Sequence, residues 1–260
     1  MLLTKPTEVT IGADPEVFLC NNKGLVMPAC GLIGGTKAHP VPVEGGALQE
    51  DNVMAEFNVN PSSQAESFVN NINLVYSEIV RKAEQVGLEV SPLASARFPM
   101  FILAEHPQAM EFGCEPDFNA YTLSENKSPS TASTLRTCAG HVHLGFEVET
   151  DDYMGTCGSV VEYLDWIVGL WTVLEDTDTT RRERYGKAGA FRPKPYGLEY
   201  RVPSNFWLQS DKLKRAMFYR VQHAYAMAQA GTKVPNVDSV ITAINTHDTE
   251  ACIALLKEAA

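Results

Sequence analysis

An α+β fold with a mostly antiparallel sheet and helices packed on one side is the class this sequence predicts. Three observations carry it. Short alternating apolar stretches with turn signals between them recur through the first 60 residues and again near residues 137–148 and 198–202. Long helical periodicities lie between and after them. At 260 residues and 45% hydrophobic content the chain can bury a substantial core, and no internal repeat, low-complexity tract or linker divides it. One domain over residues 1–260 is the reading.

The elements follow in order. Residues 9–19 alternate as a strand, with Gly12 and Pro15 as irregularities. Asn21-Asn22-Lys23-Gly24 is a turn, and residues 25–27 return as a hairpin partner. Residues 31–46 are rich in Gly and Pro and read as a loop with short strands. Residues 52–60 alternate with Val53, Ala55, Phe57 and Val59 on one face and Met54, Glu56 and Asn58 on the other. A helix opens at residues 61–66, where Ser63 and Glu66 have the spacing of a capping box, and its apolar stripe runs to Gly87. Residues 88–93 are a strand. Residues 105–133 read as irregular, and a loop of that length is usually functional or mobile. Residues 137–148 are a strand. Asp151 or Asp152 caps a long helix reaching toward Asp178. Residues 181–195 are basic and contain glycine, residues 198–202 are a strand, and residues 211–230 are a helix stopped by Gly231. Two short helices, 237–245 and 249–258, close the chain.

Composition narrows the function. A formal net charge of −11 argues against a general nucleic-acid binder, which needs a basic surface. It does not argue against a nucleotide, since magnesium and a local arginine cluster overcome a negative average. The N-terminal residues have no apolar signal-peptide core. The stretch 160–174 contains Glu162 and Asp165 and reads as a buried helix, too short and charged to span a membrane. Of the six cysteines, none forms a C-x-x-C pair, and free thiols in a reducing cytoplasm are expected.

Chemistry concentrates in four places. His141 and His143, in G-H-V-H-L-G, share one strand face and reach one ion or one phosphate. The alternative is one structural and one exposed histidine, and the flanking glycines allow a ligand or another backbone to come close. Asp14 and Glu16 are an i, i+2 acid pair that repels itself unless a cation intervenes, against the plain reading of a solvated face. Glu56, with Asn58 on the same face, has the same two readings. The basic island 181–192 leads into G-L-E-Y-R, where Glu199 and Arg201 share a face. Arginine forks bind phosphate and carboxylate. A solvated helix end suits Arg181 and Arg182 well, and Arg192 and Arg201 poorly. Oxygen ligands with one imidazole suit magnesium, with manganese tolerated. A Cys138 nucleophile near His141 is a weak alternative with no recognisable triad.

The order D-P-E, E-F-N-x-x-P, G-H-V-H-L-G, R-x-x-x-Y-G-x-x-G-x-x-R and G-L-E-Y-R, spanning residues 12–207, resembles the carboxylate–amine ligases of the glutamine synthetase and γ-glutamylcysteine ligase superfamily. Its phage-type COOH·NH2 ligases (amidoligase type 2) are the nearest likeness. The resemblance implies a curved, glutamine-synthetase-like sheet holding ATP and two or three divalent ions. It implies Asp14, Glu16, Glu56, His141 and Glu199 as metal ligands, with Glu50 or Asp51 as a further one. His143, Arg192 and Asn58 then lie at the nucleotide, and Arg192, Arg201 and Glu199 serve the chemistry. Asp14 stands where many relatives have Glu, and its shorter arm shifts an ion or leaves it water-bridged. The implied reaction joins a small-molecule or peptide carboxylate to an amine through an acyl phosphate, in the cytoplasm of a bacterial host if the gene is a phage's. No nucleic acid or membrane partner is expected, and the oligomeric state stays open. A metal-dependent hydrolase and a non-catalytic protein that keeps the fold are the competing readings.

Overall fold

The protein is described from a computed structural model that covers residues 9–106, 116–127, 134–148 and 151–259. Cys114 and parts of the irregular stretch 105–133 lie outside the described residues.

One antiparallel sheet organises the chain. Its strands are β1 (Thr10–Cys20), β2 (Val26–Met27), β3 (Val41–Val43), β4 (Gly46–Asp51), β5 (Met54–Ser62), β6 (Glu89–Ser91), β8 (Phe118–Asn119), β10 (Gly140–Gly145), β11 (Ala190–Lys194) and β12 (Gly197–Tyr200). They run in the order β3-β4-β5-β1-β10-β12-β11-β8, with β2 and β6 also pairing on the far half of β1. A separate pair joins β7 (Ser95–Arg97) to β9 (Leu135–Thr137). Strand β1 is the hub, hydrogen-bonded to β5 on one side and β10 on the other.

Alternation decides which side chains meet the helices. Ile11 and Ala13 of β1, Ala55, Phe57 and Val59 of β5, Val142 and Leu144 of β10, and Leu198 and Tyr200 of β12 enter one large core. Helix α1 (Ala65–Glu84) lays Phe68, Ile72, Val75 and Ile79 on that face. Helix α6 (Asp211–Ala230) and the short α7 (Val237–Thr246) and α8 (Thr249–Lys257) complete the layer. Asp14, Glu16, Glu56, His141, His143 and Glu199 therefore share the face turned away from the helices.

Several local expectations need correction. Val53 does not join the large core: the turn at Asp51-Asn52 ends before β5 begins at Met54, and Val53 packs in a smaller cluster with Phe18 and Phe98. The capping box is not formed, because β5 runs on through Pro61 and α1 starts at Ala65. Gln64 is then the N-cap, with no side-chain cap, and Glu66 pairs with Arg215 instead. Pro61 is tolerated because the β1–β5 register shifts between Ile11 and Ala13, so a proline donor is not required there. Strand β4 and helix α2 (Met100–Ala104) were not read from the sequence.

The helix after Asp152 is α3 (Tyr153–Leu164), a π turn over Asp165–Gly169, and α4 (Leu170–Glu175). Asp152 accepts the Gly155 N–H as its cap. The whole helix, Tyr153–Glu175, is longer than the stretch read from the sequence, and at 23 residues it is long and apolar enough to cross a membrane; most of it is buried inside the fold, in keeping with the buried-helix reading. None of the described cysteines forms a disulfide.

Candidate active site

The register lines the chemistry up across the sheet. Gln49 faces Glu56, and Glu56 faces Glu16. Two residues along β1, Asp14 faces His141. One alternation along β10, His143 faces Glu199, and Glu199 faces Arg192. Every strand from β4 to β11 thus contributes to one surface.

Asp14 and Glu16 do not share one cation-seeking spot, as their spacing suggested; they divide between two groups. Asp14, His143 and Glu199 place one ligand atom each within 4.8 Å of one another, and so do Glu16, Asp51 and Glu56.

The first group is rich in cations. Glu199 is fully buried and is held by Arg192 Nη1 at 3.0 Å, Lys194 Nζ at 2.9 Å and Arg201 Nη1. Burial and the Asp14 charge push the Glu199 carboxyl up, but Arg201, His141 and Arg192 outweigh them and hold it at about 2. Asp14 Oδ1 lies 3.0 Å from His143 Nε2 and 3.4 Å from His141 Nδ1. Burial raises the Asp14 carboxyl; the two imidazoles prevail and keep it well below its ordinary value. The histidines differ. Burial and Arg201 lower His141 to about 4, so it is neutral at physiological pH and offers a lone pair. For His143 burial opposes the proton, but Asp14 wins and raises it. Tyr196 stacks on the His143 ring at 6.0 Å and meets its Nδ1 with the phenol.

The second group is poor in cations. Burial, then the Asp51 charge, push Glu16 up to about 7, even though its Oε2 accepts the Ala139 N–H at 2.7 Å. Burial with Asp14, Glu16 and Asp51 raises Glu56 well above its ordinary value. Glu56 Oε2 is buried with no hydrogen-bond partner among the described residues. Lys37 Nζ stands 3.5 Å from Asp51. Glu50 is not part of this group, which Asp51 joins: the Glu50 carboxylate accepts the N–H groups of Gly31, Ile33 and Gly34.

A groove of about 270 Å³ runs over both groups, lined by the acids, the histidines, Gln49, Asn58, Arg192, Lys194, Tyr196 and Arg201. Asn58 is positioned by its bond to Gln49 Oε1 at 2.9 Å. A largely apolar cavity of about 390 Å³ opens from it at Asn58, His143 and Tyr196 and continues over Gly12, Val59 and Pro61. Arg201 also reaches Asp117 Oδ2 at 3.2 Å.

Of the site residues singled out in the sequence, Asp14, Glu16, Glu56, Asn58, His141, His143, Arg192 and Arg201 line this groove; Glu199 is fully buried and meets it through Arg192, Lys194 and Arg201, while Glu50, Arg181 and Arg182 lie outside it. Arg181 and Arg182 contradict the solvated reading. Helix α5 (Thr180–Arg184) buries both, each 4% exposed: Arg181 donates to the carbonyls of Val202 and Arg201, and Arg182 to the Gly186 carbonyl and the Thr172 hydroxyl. Gly186 makes this possible: its φ of +70° is one that L side chains avoid, and a Cβ there would meet Arg181 Nη1 at 2.3 Å. The glycine flanking His141 serves protein packing rather than a ligand, since a Cβ on Gly140 would meet Ser204 O at 2.2 Å. Cys138 is fully buried, and burial and Glu16 push its thiol well above the ordinary value, which removes the nucleophile reading. Lys194, Tyr196, Gln49 and Arg136 were missed. Alternation from Arg192 pointed to Lys194; Tyr196 sits in a hairpin turn that carries no such signal.

Three solved structures align with 96% of this chain: GmaS without ligand (12% identity, TM-score 0.47), a novel glutamine synthase homologue (13%, 0.43) and a GmaS/ADP complex (9%, 0.45). The chain spans 62%, 64% and 64% of their respective lengths. No curated protein matches the sequence. Residues 130–256, which carry β9 to β12, the basic island and all the later helices, match the family model for phage phiEco32-like COOH.NH2 ligase type 2. Over that stretch, just under half of its length, the chain is similar to the COOH.NH2 ligase type 2 family.

Proposed function

We propose that the chain works as one domain, an ATP-dependent carboxylate–amine ligase that forms an amide bond. The observation that carries the reading is the pairing of a crowded acid group with an adjacent arginine- and lysine-lined groove on one sheet face. Glu16, Asp51 and Glu56 fit a hard divalent ion such as magnesium, with manganese tolerated: oxygen donors only, like charges in contact, and an orphaned buried oxygen on Glu56. Asp14 and Glu199 of the other group fit a second ion, with neutral His141, 3.4 Å from each carboxylate, as the imidazole in place of His143, whose proton Asp14 favours; Glu199 would exchange part of its hold on Arg192, Lys194 and Arg201. Magnesium-bound ATP would supply the phosphoryl group that converts a carboxylate into an acyl phosphate open to amine attack.

The chain's own residues do the rest. Arg192, Lys194 and His143 present donors to phosphate oxygens along the groove, and Asn58 adds an amide. Tyr196 and the apolar cavity beside it suit the base and sugar of a nucleotide. Arg201 stands between His141, Glu199 and Asp117, where a planar fork holds the reacting carboxyl and the charge that develops on it. Buried Glu16, whose carboxyl burial and Asp51 push up to about 7, would give up its proton to ligate the ion.

The test is phosphate release from ATP with magnesium across a panel of acids and amines. Release that requires both an acid and an amine supports a ligase. Turnover of an amide with no ATP present would move the protein to the hydrolases.

A further inference from the structure

Glu50 precedes Asp51 at the end of β4, yet its carboxylate is engaged by backbone rather than by the acid group. Its Oε2 accepts the Gly31 N–H at 2.9 Å, and its Oε1 accepts the N–H groups of Ile33 at 3.1 Å and Gly34 at 2.8 Å. Backbone N–H groups converging on one anion form a nest, and hydrogen bonds to a charged acceptor are the strong ones. The next residue, Gly35, packs against the same strand: its φ is +79°, and a Cβ there would meet Leu48 O at 2.5 Å. A tight turn follows, in which Thr36 and His39 exchange N–H···O bonds at 3.1 and 3.0 Å. Lys37 rides on that turn.

The clasp therefore fixes the backbone from which Lys37 reaches the acid group. Lys37 Nζ lies 3.5 Å from Asp51 Oδ2. Burial is the main upward push on the Glu16 and Glu56 carboxyls, and the Lys37 charge opposes it at both. The same side chain lines the groove with Arg192 and Lys194. Its hold on Asp51 is loose, because the lysine side chain is 55% exposed and exposed ion pairs are weak. A divalent ion among Glu16, Asp51 and Glu56 would stand beside this ammonium and repel it. The flexible four-carbon stem lets the ammonium leave while its backbone stays in place.

We propose that Glu50 is a positioning residue that seats Lys37 as a tethered cation. Lys37 holds Asp51 while no ion is bound and turns to the nucleotide phosphates when magnesium enters. Magnesium alone then binds against the lysine charge, and magnesium with a nucleotide does not. One side chain thereby couples the ion to the nucleotide. The inference rests on the ligase reading for the ion site and the phosphate groove.

Calorimetry tests it through two quantities: magnesium affinity without nucleotide, and ATP affinity in EDTA and in saturating magnesium. The proteins are the wild type, Lys37→Met, Glu50→Gln and the double variant. Without nucleotide, Lys37→Met should bind magnesium at least about threefold tighter, a size that an exposed ion pair permits. Glu50→Gln should shift magnesium affinity in the same direction. The double variant should bind it no tighter than Lys37→Met, since both changes act through one ammonium. The factor by which magnesium strengthens ATP binding should fall in all three. Lys37→Arg keeps the charge and should retain the wild-type magnesium affinity. Unchanged or weaker magnesium binding by Lys37→Met would overturn the tethered cation. A Glu50 that merely braces Asp51 would weaken magnesium binding when substituted, and that result, or single effects that add in the double variant, would overturn the positioning role. Gly34→Ala replaces Glu50→Gln if that variant does not fold: it strains the clasp at a φ of +83°, where a Cβ meets nothing closer than Val41 Cγ2 at 3.9 Å. A wild type that binds no magnesium would remove the ion reading and the lysine seat with it. Magnesium binding that no variant alters would keep the ion reading and reject this inference alone.

Discussion

Glu56 and Glu199 are both buried carboxylates with opposite surroundings. Glu199 is matched by Arg192, Lys194 and Arg201, whereas Glu56 faces Glu16 and Asp51. Like charges in a desolvated group cost stability until a cation arrives. Glu56→Gln should therefore raise the melting temperature in EDTA, by about 1 kcal/mol of stability, and should abolish most of the stabilisation by magnesium. Thermal unfolding with and without magnesium reads both, and an unchanged magnesium response would remove Glu56 from the ion site. Arg201→Lys keeps the charge but loses the fork that spans Glu199, His141 and Asp117. Turnover should fall at least about tenfold, roughly 1.4 kcal/mol of transition-state stabilisation, with little change in nucleotide affinity. Undiminished phosphate release in this variant would exclude the role. At this scale the sequence was legible where strand alternation applies, because a two-residue period puts Asp14, Glu16, His141, His143, Glu199 and Arg201 on one face. It was silent on Arg181. An arginine near a helix end looks solvated in one dimension, and its burial depends on a chain reversal at Gly186 and on the end of β12.

One element ties the site together from behind. The π turn buries Asp165, whose Oδ1 accepts the Tyr200 hydroxyl at 2.6 Å and whose Oδ2 accepts the Tyr121 hydroxyl at 2.8 Å and the Gly189 N–H at 2.5 Å. Tyr200 lies between Glu199 and Arg201, Gly189 leads into the strand of Arg192, and Tyr121 follows the segment of Asp117. Burial raises the Asp165 carboxyl to about 6, although Tyr200, Tyr121 and the Gly189 N–H oppose it. A carboxyl raised on folding binds its proton more tightly in the native state than in the unfolded chain. Its contribution therefore falls as pH rises from about 4 to about 6, and is level beyond. Compared with Asp165→Asn, the wild type should lose on the order of 3 kcal/mol of relative stability between pH 4 and pH 7. Urea unfolding of both proteins across that range checks it, and parallel stability profiles would show that Asp165 does not titrate there. The helix itself was readable from Asp152 onward, but the π turn was not. The contacts that accompany it, Asp165 with three donors from elsewhere in the chain, are tertiary and leave no mark in local periodicity.

At the scale of the molecule, a net charge of −11 coexists with a groove that gathers Arg192, Lys194 and Arg201 against the acids. The antiparallel class was visible because strands and long helices do not alternate. The order of strands was not, since β1 pairs with β5, β10, β2 and β6, and no local signal records pairings across 130 residues. That hub joins the two halves of the proposed site: an ion at β1, β4 and β5 and a nucleotide at β10, β11 and β12 would bridge strands that pair through β1. A ligand that binds only the folded sheet stabilises it by mass action, about 2.7 kcal/mol at a hundred times its dissociation constant. For a chain of this size that corresponds to a rise in melting temperature of roughly 5–10 °C. Magnesium with ATP should give a shift of this order. ATP in EDTA should give much less, because the triphosphate would add charge beside Asp14 and Glu56 with no ion between them. Thermal unfolding in four conditions (neither ligand, magnesium alone, ATP in EDTA, and both) separates the contributions. The two ligands together should exceed the sum of their separate shifts. Strict additivity would mean that ion and nucleotide bind apart, and the shared site would fall.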